Sequence, residues 1–328
     1  MTTLNWGILG TGNIARKFAS DLAQTPGMKV VAVGSRSAES AKKFGDELKI
    51  PNCHSSYEAL IADPAVQSIY ISLPNHLHKE WTIKCAQGKK HILCEKPLAV
   101  NRREADAMLE AVKAHGVFMM EAFMYRCHPQ TLKLRDLLAN GAIGEVRMIH
   151  AHFSYNMGPN YTNIRLSNPA AGGGIMDVGC YPISFARMAA GCEPCDVKGS
   201  AKIGMVSRVD EIAAATMLFP TGVVASLTCG TQVQVDIGAT IYGADGSIQI
   251  PFPWKPAATD ARMTLRRKGG NEEIVTDSAA PLYGLEALHI AEHLSQRQAP
   301  AMTWADSIGN MRALDMLRES IGLKFDGE

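Results

Sequence analysis

The sequence predicts an α/β chain in two parts: a doubly wound parallel sheet, then an α+β region on a large, mostly antiparallel open sheet. Three observations carry this expectation. Short β-branched runs alternate with helical patterns through the first ~120 residues, the signature of βαβ units. A glycine-rich turn joins the first strand to the first helix. Beyond residue 145, longer alternating segments are separated by turn signals. At 328 residues the chain is long for a single hydrophobic core. We expect domains over 1–123 and 124–328, with the last helix packing back on the first domain.

Each element has a local reason. Residues 4–9 read as a strand, and Ile14, Phe18 and Leu22 then repeat at helical spacing. Val30–Val33 is a buried strand, and Ser37 is an N-cap candidate for the helix after it. Strands follow over 68–72, 91–94 and 117–121, with helices over 76–87 and 101–115. The character changes after His128-Pro129, where a helix through 132–138 ends at Asn140-Gly141. Segments 146–155, 212–219, 223–229, 239–243 and 247–250 predict the antiparallel sheet, interrupted by a helix over 175–190 that Gly172-Gly173-Gly174 opens. Helices over 285–296 and 304–320 close the chain. Val223, Ala225 and Leu227 alternate along one strand, and an exposed apolar sheet face there would favour a twofold dimer.

Composition excludes several classes. Lys and Arg number 33 against 32 Asp and Glu, a formal charge of +1, which offers nothing to nucleic acid or an anionic membrane. No apolar run reaches the ~18–20 residues that span a bilayer. The N-terminus lacks a signal-like pattern, so a cytoplasmic location is expected. Eight scattered cysteines read as small hydrophobes, and Cys192-Glu193-Pro194-Cys195 as a loop after a helix ending at Gly191. Lys89-Lys90 reads as a solvated turn.

Gly10-Thr11-Gly12-Asn13-Ile14-Ala15 is a G-x-G-x-x-A match in the setting that gives the motif meaning. Gly10 permits the tight turn, Gly12 lets the backbone approach a pyrophosphate, and Ala15 lets the helix pack close. Thr11, Asn13 and Ile14 complete the turn and the helix start, where free N–H groups attract an anion. A dinucleotide-binding Rossmann domain is expected. At the end of the second strand an NAD site usually carries Asp or Glu, but this chain has Ser35-Arg36-Ser37. No carboxylate repels a 2′-phosphate there, and Arg36 can pair with one, so NADP is favoured over NAD.

Cys94-Glu95-Lys96-Pro97-Leu98 follows a strand at the carboxyl edge, where open α/β sheets bind ligands. Asp177 and Tyr181 stand four apart and would share a helix face. A phenol that donates a proton to a carbonyl, with a lysine charge favouring the phenolate, makes an acid–base unit for hydride transfer. Taken alone Tyr181 reads as a core tyrosine, but together with the glycine turn and Glu95-Lys96-Pro97 it makes Lys96 and Tyr181 the candidate acid–base pair.

GILGTGNIA, LPNHLH, CEKPLA, EAFMYRCHP, NIRL, AGGGIMDVGCYPI and MTWADSIGNMRALD together resemble the Gfo/Idh/MocA oxidoreductase superfamily over essentially the whole length. Its dimeric dihydrodiol dehydrogenase and NADP-dependent D-xylose dehydrogenase branch is the nearest in pattern. The resemblance implies a Lys96–Tyr181 catalytic pair, with Asp177 orienting sugar hydroxyls or Lys96. It also implies cofactor contacts from Ser72, Leu73, Asn75 and His78, Glu95 at the nicotinamide ribose, and Arg165 and Tyr283 near the nicotinamide. The expected activity is hydride transfer between NADP and a sugar, polyol or cyclic diol. The alternatives are a catalytically silent NADP/sugar sensor or a tight-NADP enzyme that turns over two sugars. The family pattern also implies a homodimer through the C-terminal sheet.

His289-Ile290-Ala291-Glu292-His293 has H-x-x-E-H spacing. The stretch also fits an amphipathic helix with Leu285, Leu288 and Leu294, and no metal is expected there. His150 and His152 fall on one strand face, either a pocket wall or the exposed side.

Overall fold

In the computed structural model, which describes residues 3–328, the chain divides into two compact units. The first holds the chain through Cys127 together with Ser278–Ser307, and the second holds His128–Asp277 and Ile308–Glu328.

The first unit contains β1 (Leu4–Leu9), α1 (Asn13–Leu22), β2 (Met28–Gly34), α2 (Ala38–Leu48), β3 (Asn52–His54) and α3 (Tyr57–Ala62). It continues through β4 (Ser68–Ile71), α4 (His78–Gln87), β5 (His91–Glu95), α5 (Arg102–His115) and β6 (Met119–Ala122). Its six-stranded parallel sheet has the order β3-β2-β1-β4-β5-β6, the doubly wound Rossmann order. Local signals set several starts. Ser37 accepts from the Ser40 amide at 3.3 Å to cap α2, and Asn101 accepts from Glu104 at 3.0 Å to cap α5. β3 and α3 are too short to show a period, and the sequence did not announce them.

The expected boundary at 123/124 moves to 127/128 because Met124–Cys127 forms a buried 3₁₀ turn of the first unit. Arg126, almost fully buried, donates to the Ala301 carbonyl at 3.0 Å and pairs with Asp306 at 3.1 Å. The element that returns to this unit is α8 (Leu282–His293), with the first turn of α9 (Trp304–Ser320), whose remainder belongs to the second unit. Lys90 is not a solvated turn residue. It is 9% exposed and its Nζ donates to the Asp63 and Val66 carbonyls at 2.8 and 2.7 Å, so the charge is satisfied inside.

The second unit opens with α6 (Pro129–Ala139) and β7 (Val146–Ser154). A π-turn, Ile175–Gly179, leads into α7 (Cys180–Ala190). The remaining strands are β8 (Asp196–Ile203), β9 (Asp210–Leu218), β10 (Val224–Gly230), β11 (Gly238–Gly243), β12 (Gly246–Ile250), β13 (Ala261–Arg267) and β14 (Gly270–Thr276). They form an eight-stranded sheet, β14-β13-β12-β11-β7-β10-β9-β8, antiparallel except where β10 pairs with β7. β8, β13 and β14 were not expected, because their charged and small residues dilute the strand signal.

Register corrects the expected apolar face. Val223, Ala225 and Leu227 are buried and the intervening Val224, Ser226 and Thr228 are exposed. A period of two gives each strand one core face, and the helix α7 side takes the apolar set. The open face instead mixes Met148, Leu218, Val224 and Tyr242 with Ser and Thr. No helix among the described residues is long and apolar enough to cross a membrane.

Candidate active site

In the first unit the expected cofactor residues gather at the carboxyl ends of the parallel strands. Gly10 has φ +102°, and a Cβ there would stand 3.0 Å from the Ser72 hydroxyl and 3.1 Å from the Ser72 carbonyl. Only glycine lets the β1 and β4 ends approach so closely. Ser72 reinforces the approach by donating to the Leu9 carbonyl at 2.7 Å, and Leu73 packs beside it. A Cβ on Gly12 would meet nothing within 4 Å, so the turn is open on that side. Gly12 is also the N-cap of α1 and provides no side-chain cap, and the first turn carries no acidic residue. Thr11 and Ile14 are half-buried and Asn13 is exposed. The arrangement leaves N–H groups of a ten-residue helix facing open space, as a bound pyrophosphate requires.

At the end of β2, Ser35 is buried and its amide donates to the His54 carbonyl at 3.1 Å, while Arg36 is exposed and interacts with the Tyr57 hydroxyl. Asn75 starts a 3₁₀ turn after Pro74. These residues fit a dinucleotide carrying a 2′-phosphate: an open glycine turn, an uncapped helix and an exposed guanidinium with no carboxylate at the strand end.

His78 packs inside the first unit. It is fully buried, with Nε2 2.8 Å from the Leu73 carbonyl and Nδ1 3.0 Å from the Pro97 carbonyl. Its two ring nitrogens face two backbone carbonyls, so His78 lies between the loops after β4 and β5. Burial lowers its pKa. The Lys96-Pro97 peptide is cis. Beyond it, Leu98 N–H donates to Glu121 at 2.8 Å, which fixes the far side of the loop that carries half-buried Lys96.

Glu95 sits at the end of β5, 8% exposed, accepting from the Tyr70 hydroxyl and from the Lys96 amide at 3.2 Å. Tyr283 lies in the first turn of α8, with its amide donating to Asp21 at 3.2 Å. Burial, then Glu95, Glu286 and Asp21, push the Tyr283 phenol upward. The sequence reading missed Glu286. It is fully buried, neither carboxylate oxygen has a partner, and burial together with Glu95 and Asp21 holds its pKa well above the usual range. No local signal marks it, because only the return of α8 to this unit buries it.

In the second unit, Asp177 lies on the π-turn and Tyr181 in the first turn of α7. The four-residue spacing predicts a plain α-helix. The observed π-turn is a wider coil, a form often found at functional positions. Asp177 accepts from the Tyr155 hydroxyl at 2.5 Å and from Arg165 Nε at 3.0 Å. Both carboxylate oxygens are thus charge-assisted acceptors in fixed geometry. Arg165, expected near a nicotinamide, is committed to Asp177 and remains 43% exposed. Tyr155 was not anticipated, and its signal was its place at the end of β7, one residue beyond the strand. Burial and the Asp177 charge push its phenol well above the ordinary range.

Tyr181 is 4% exposed, against Phe153 (ring centroids 5.3 Å) and Trp254 (6.1 Å). Its helix is anchored by Asp210, whose Oδ2 accepts from the Ile175 amide at 2.6 Å. Gly173 has φ +105°, and a Cβ there would lie 2.2 Å from Asp210 Oδ1, so glycine is required at this contact. Burial raises the Asp210 pKa to about 7. His150 lies on the exposed side of β7 beside Tyr242, and His152 is half-buried.

Two sequence profiles match this chain. Residues 4–123 match one described as an oxidoreductase family with an NAD-binding Rossmann fold, and residues 131–249 match the GFO/IDH/MocA C-terminal domain. The trans-1,2-dihydrobenzene-1,2-diol dehydrogenase of Mus musculus is 32% identical over 98% of both chains. The D-xylose 1-dehydrogenase (NADP(+)) 2 of Haloferax volcanii is 32% identical over 96% of both. Among solved structures, KijD10, a 3-ketoreductase from Actinomadura kijaniata in complex with NADP and TDP-benzene, superposes with a TM-score of 0.88 at 26% identity over 98% of both chains. With a Rossmann unit of matching strand order, a matching C-terminal domain and relatives aligned end to end, this chain belongs to the GFO/IDH/MocA oxidoreductase family.

Proposed function

We propose that this protein is an NADP-dependent dehydrogenase or reductase acting on a CH–OH group of a sugar, polyol or related cyclic diol. The observation that carries the reading is the open Gly10–Gly12 turn ahead of the uncapped start of α1, with exposed Arg36 at the end of β2. That is the donor set a pyrophosphate and a 2′-phosphate need. The dihydrodiol and xylose dehydrogenase relatives support the same reaction class.

Bound NADP supplies the hydride acceptor or donor, and the protein supplies the rest. In our assignment the α1 amides hold the pyrophosphate, Arg36 pairs with the 2′-phosphate, and Glu95 meets the nicotinamide ribose. Tyr181 transfers the proton at the substrate oxygen, and Lys96 provides the neighbouring positive charge. The Lys96–Tyr181 pairing rests on the family resemblance. Asp177, fixed by Tyr155 and Arg165, orients substrate hydroxyls: a carboxylate with two anchored oxygens is a rigid acceptor. Such a carboxylate favours a polyhydroxylated substrate over a purely apolar one.

Two further assignments complete the proposal. The protein works as a homodimer through the open face of its eight-stranded sheet, where Met148, Leu218, Val224 and Tyr242 are exposed. It works in the cytoplasm, a reducing compartment that suits its eight free thiols. The test of the function is a panel of aldoses, inositols and cyclic diols, each assayed with NADP and NAD by nicotinamide absorbance. Turnover of at least one polyhydroxylated compound, faster with NADP, is expected. Binding of NADP without turnover of any member would favour the sensor reading.

A further inference from the structure

The C-terminal end of α8 carries His289, Glu292 and His293, spaced three and four residues apart, so their side chains leave the helix on one face. One possible ligand atom from each lies within 4.8 Å of the others. Among the described residues no other three His, Cys, Asp or Glu side chains converge in this way. The separation is short enough for small rotamer changes to bring all three to the ~2.0–2.2 Å that imidazole nitrogen and carboxylate oxygen keep from zinc.

Convergence of this kind is compatible with an ordinary helix surface, but the hydrogen bonds around the two imidazoles point further. His293 Nδ1 lies 2.8 Å from the His289 carbonyl, which can only accept. The proton therefore sits on Nδ1, and Nε2 keeps its lone pair. The His289 Nδ1 is shielded from solvent and has no partner. With the ring proton on Nε2, Nδ1 is a bare, buried acceptor. Each ring then offers one nitrogen lone pair, the state in which histidine ligates metals. An unpartnered acceptor shielded from water is costly, and a cation at this point would remove the cost. The last turn of a helix also favours positive charge.

We infer that His289, Glu292 and His293 form a binding site for a late first-row divalent cation, with Zn²⁺ the best fit and the remaining coordination supplied by water. Two imidazoles and one carboxylate suit zinc, cobalt or nickel, whereas Mg²⁺ and Ca²⁺ prefer all-oxygen shells. The ion would fasten the end of α8, which belongs to the first unit. Neither NADP nor substrate takes part, so this inference stands apart from the proposed activity.

The experiment uses the full-length, chelator-treated protein without cofactor. Co²⁺ is titrated while its visible absorption is recorded, Zn²⁺ is titrated by calorimetry, and Tm is measured with and without Zn²⁺. His293→Ala and Glu292→Gln are run in parallel. Glu292 is exposed and His293 half-exposed, so both variants should keep the fold, which circular dichroism checks. The expected result is one strong site per chain, with ligand-field bands of low-coordinate cobalt and a Zn²⁺-dependent rise in Tm. In His293→Ala binding should weaken at least ~10-fold, the lower bound for losing even an outer partner of a metal site. No saturable site, or a site of unchanged affinity in both variants, would overturn the inference, because the metal would then sit elsewhere, as on exposed Cys53 or Cys195.

Discussion

Replacing Asp210 with Asn should change how stability depends on pH. Asp210 is fully buried at the start of β9, and its Oδ2 takes the Ile175 amide at 2.6 Å while Oδ1 has no partner. Burial outweighs the backbone donors from Ile175, its own amide and Gly174, and the pKa rises from 3.8 to about 7. Because the folded value lies above the unfolded one, the native state holds a proton that the unfolded chain has lost between these values. The contribution to stability is fully present below about pH 4, falls by ~1.4 kcal/mol per pH unit, and is gone above about pH 7. Over that window the loss is on the order of 4 kcal/mol, a large part of the ~5–15 kcal/mol that holds most proteins folded. Asn keeps the acceptor for Ile175 and cannot ionise. Urea unfolding of both proteins between pH 5 and pH 8 should show the variant gaining on the parent by ~3 kcal/mol as pH rises. Histidines that titrate in the same range cancel in the difference. A difference that stays constant across pH would refute the reasoning, and would mean that the backbone donors keep Asp210 ionised throughout.

Tyr181→Phe should lower turnover by ~10²–10⁴-fold, the usual contribution of a positioned proton donor, with NADP affinity nearly unchanged. Lys96→Met should do at least as much harm; near-normal turnover in either variant, measured on the true substrate, removes that residue from the chemistry. Arg36→Ala should narrow the preference for NADP over NAD in equilibrium binding, and equal affinities in the parent protein would contradict the 2′-phosphate assignment. Gly10→Ala places a methyl group 3.0 Å from the Ser72 hydroxyl at φ +102°, so it should abolish NADP binding and cost ~1–2 kcal/mol in stability from the backbone alone. A variant with unchanged cofactor titration and unchanged melting would show that the turn has room to yield.

The elements that were legible in the sequence are those whose cause is local. The G-x-G-x-x-A turn, the Ser37 cap, the Gly191 helix end at φ +69° and α9 over Trp304–Ser320 all follow from residues within a few positions of each other. Chemical type at a strand end was legible too, since Ser35-Arg36 in place of an acid is a statement about charge. Tertiary structure decided the rest. The motif marks His78 as a cofactor residue, and only the fold shows its ring lying between the Leu73 and Pro97 carbonyls. Tyr155, Arg165 and Asp177 come from three separate segments, and their shared hydrogen bonds appear only when β7, a 3₁₀ turn and the π-turn meet. Val223, Ala225 and Leu227 could have faced solvent or core with equal ease, because alternation fixes that two faces differ and leaves open which one is covered. Glu286 and Asp210 owe their buried state to segments distant in the chain. A sequence records propensity and chemical type residue by residue, whereas burial, and with it every shifted pKa and committed hydrogen bond, is a property of what the rest of the chain brings alongside.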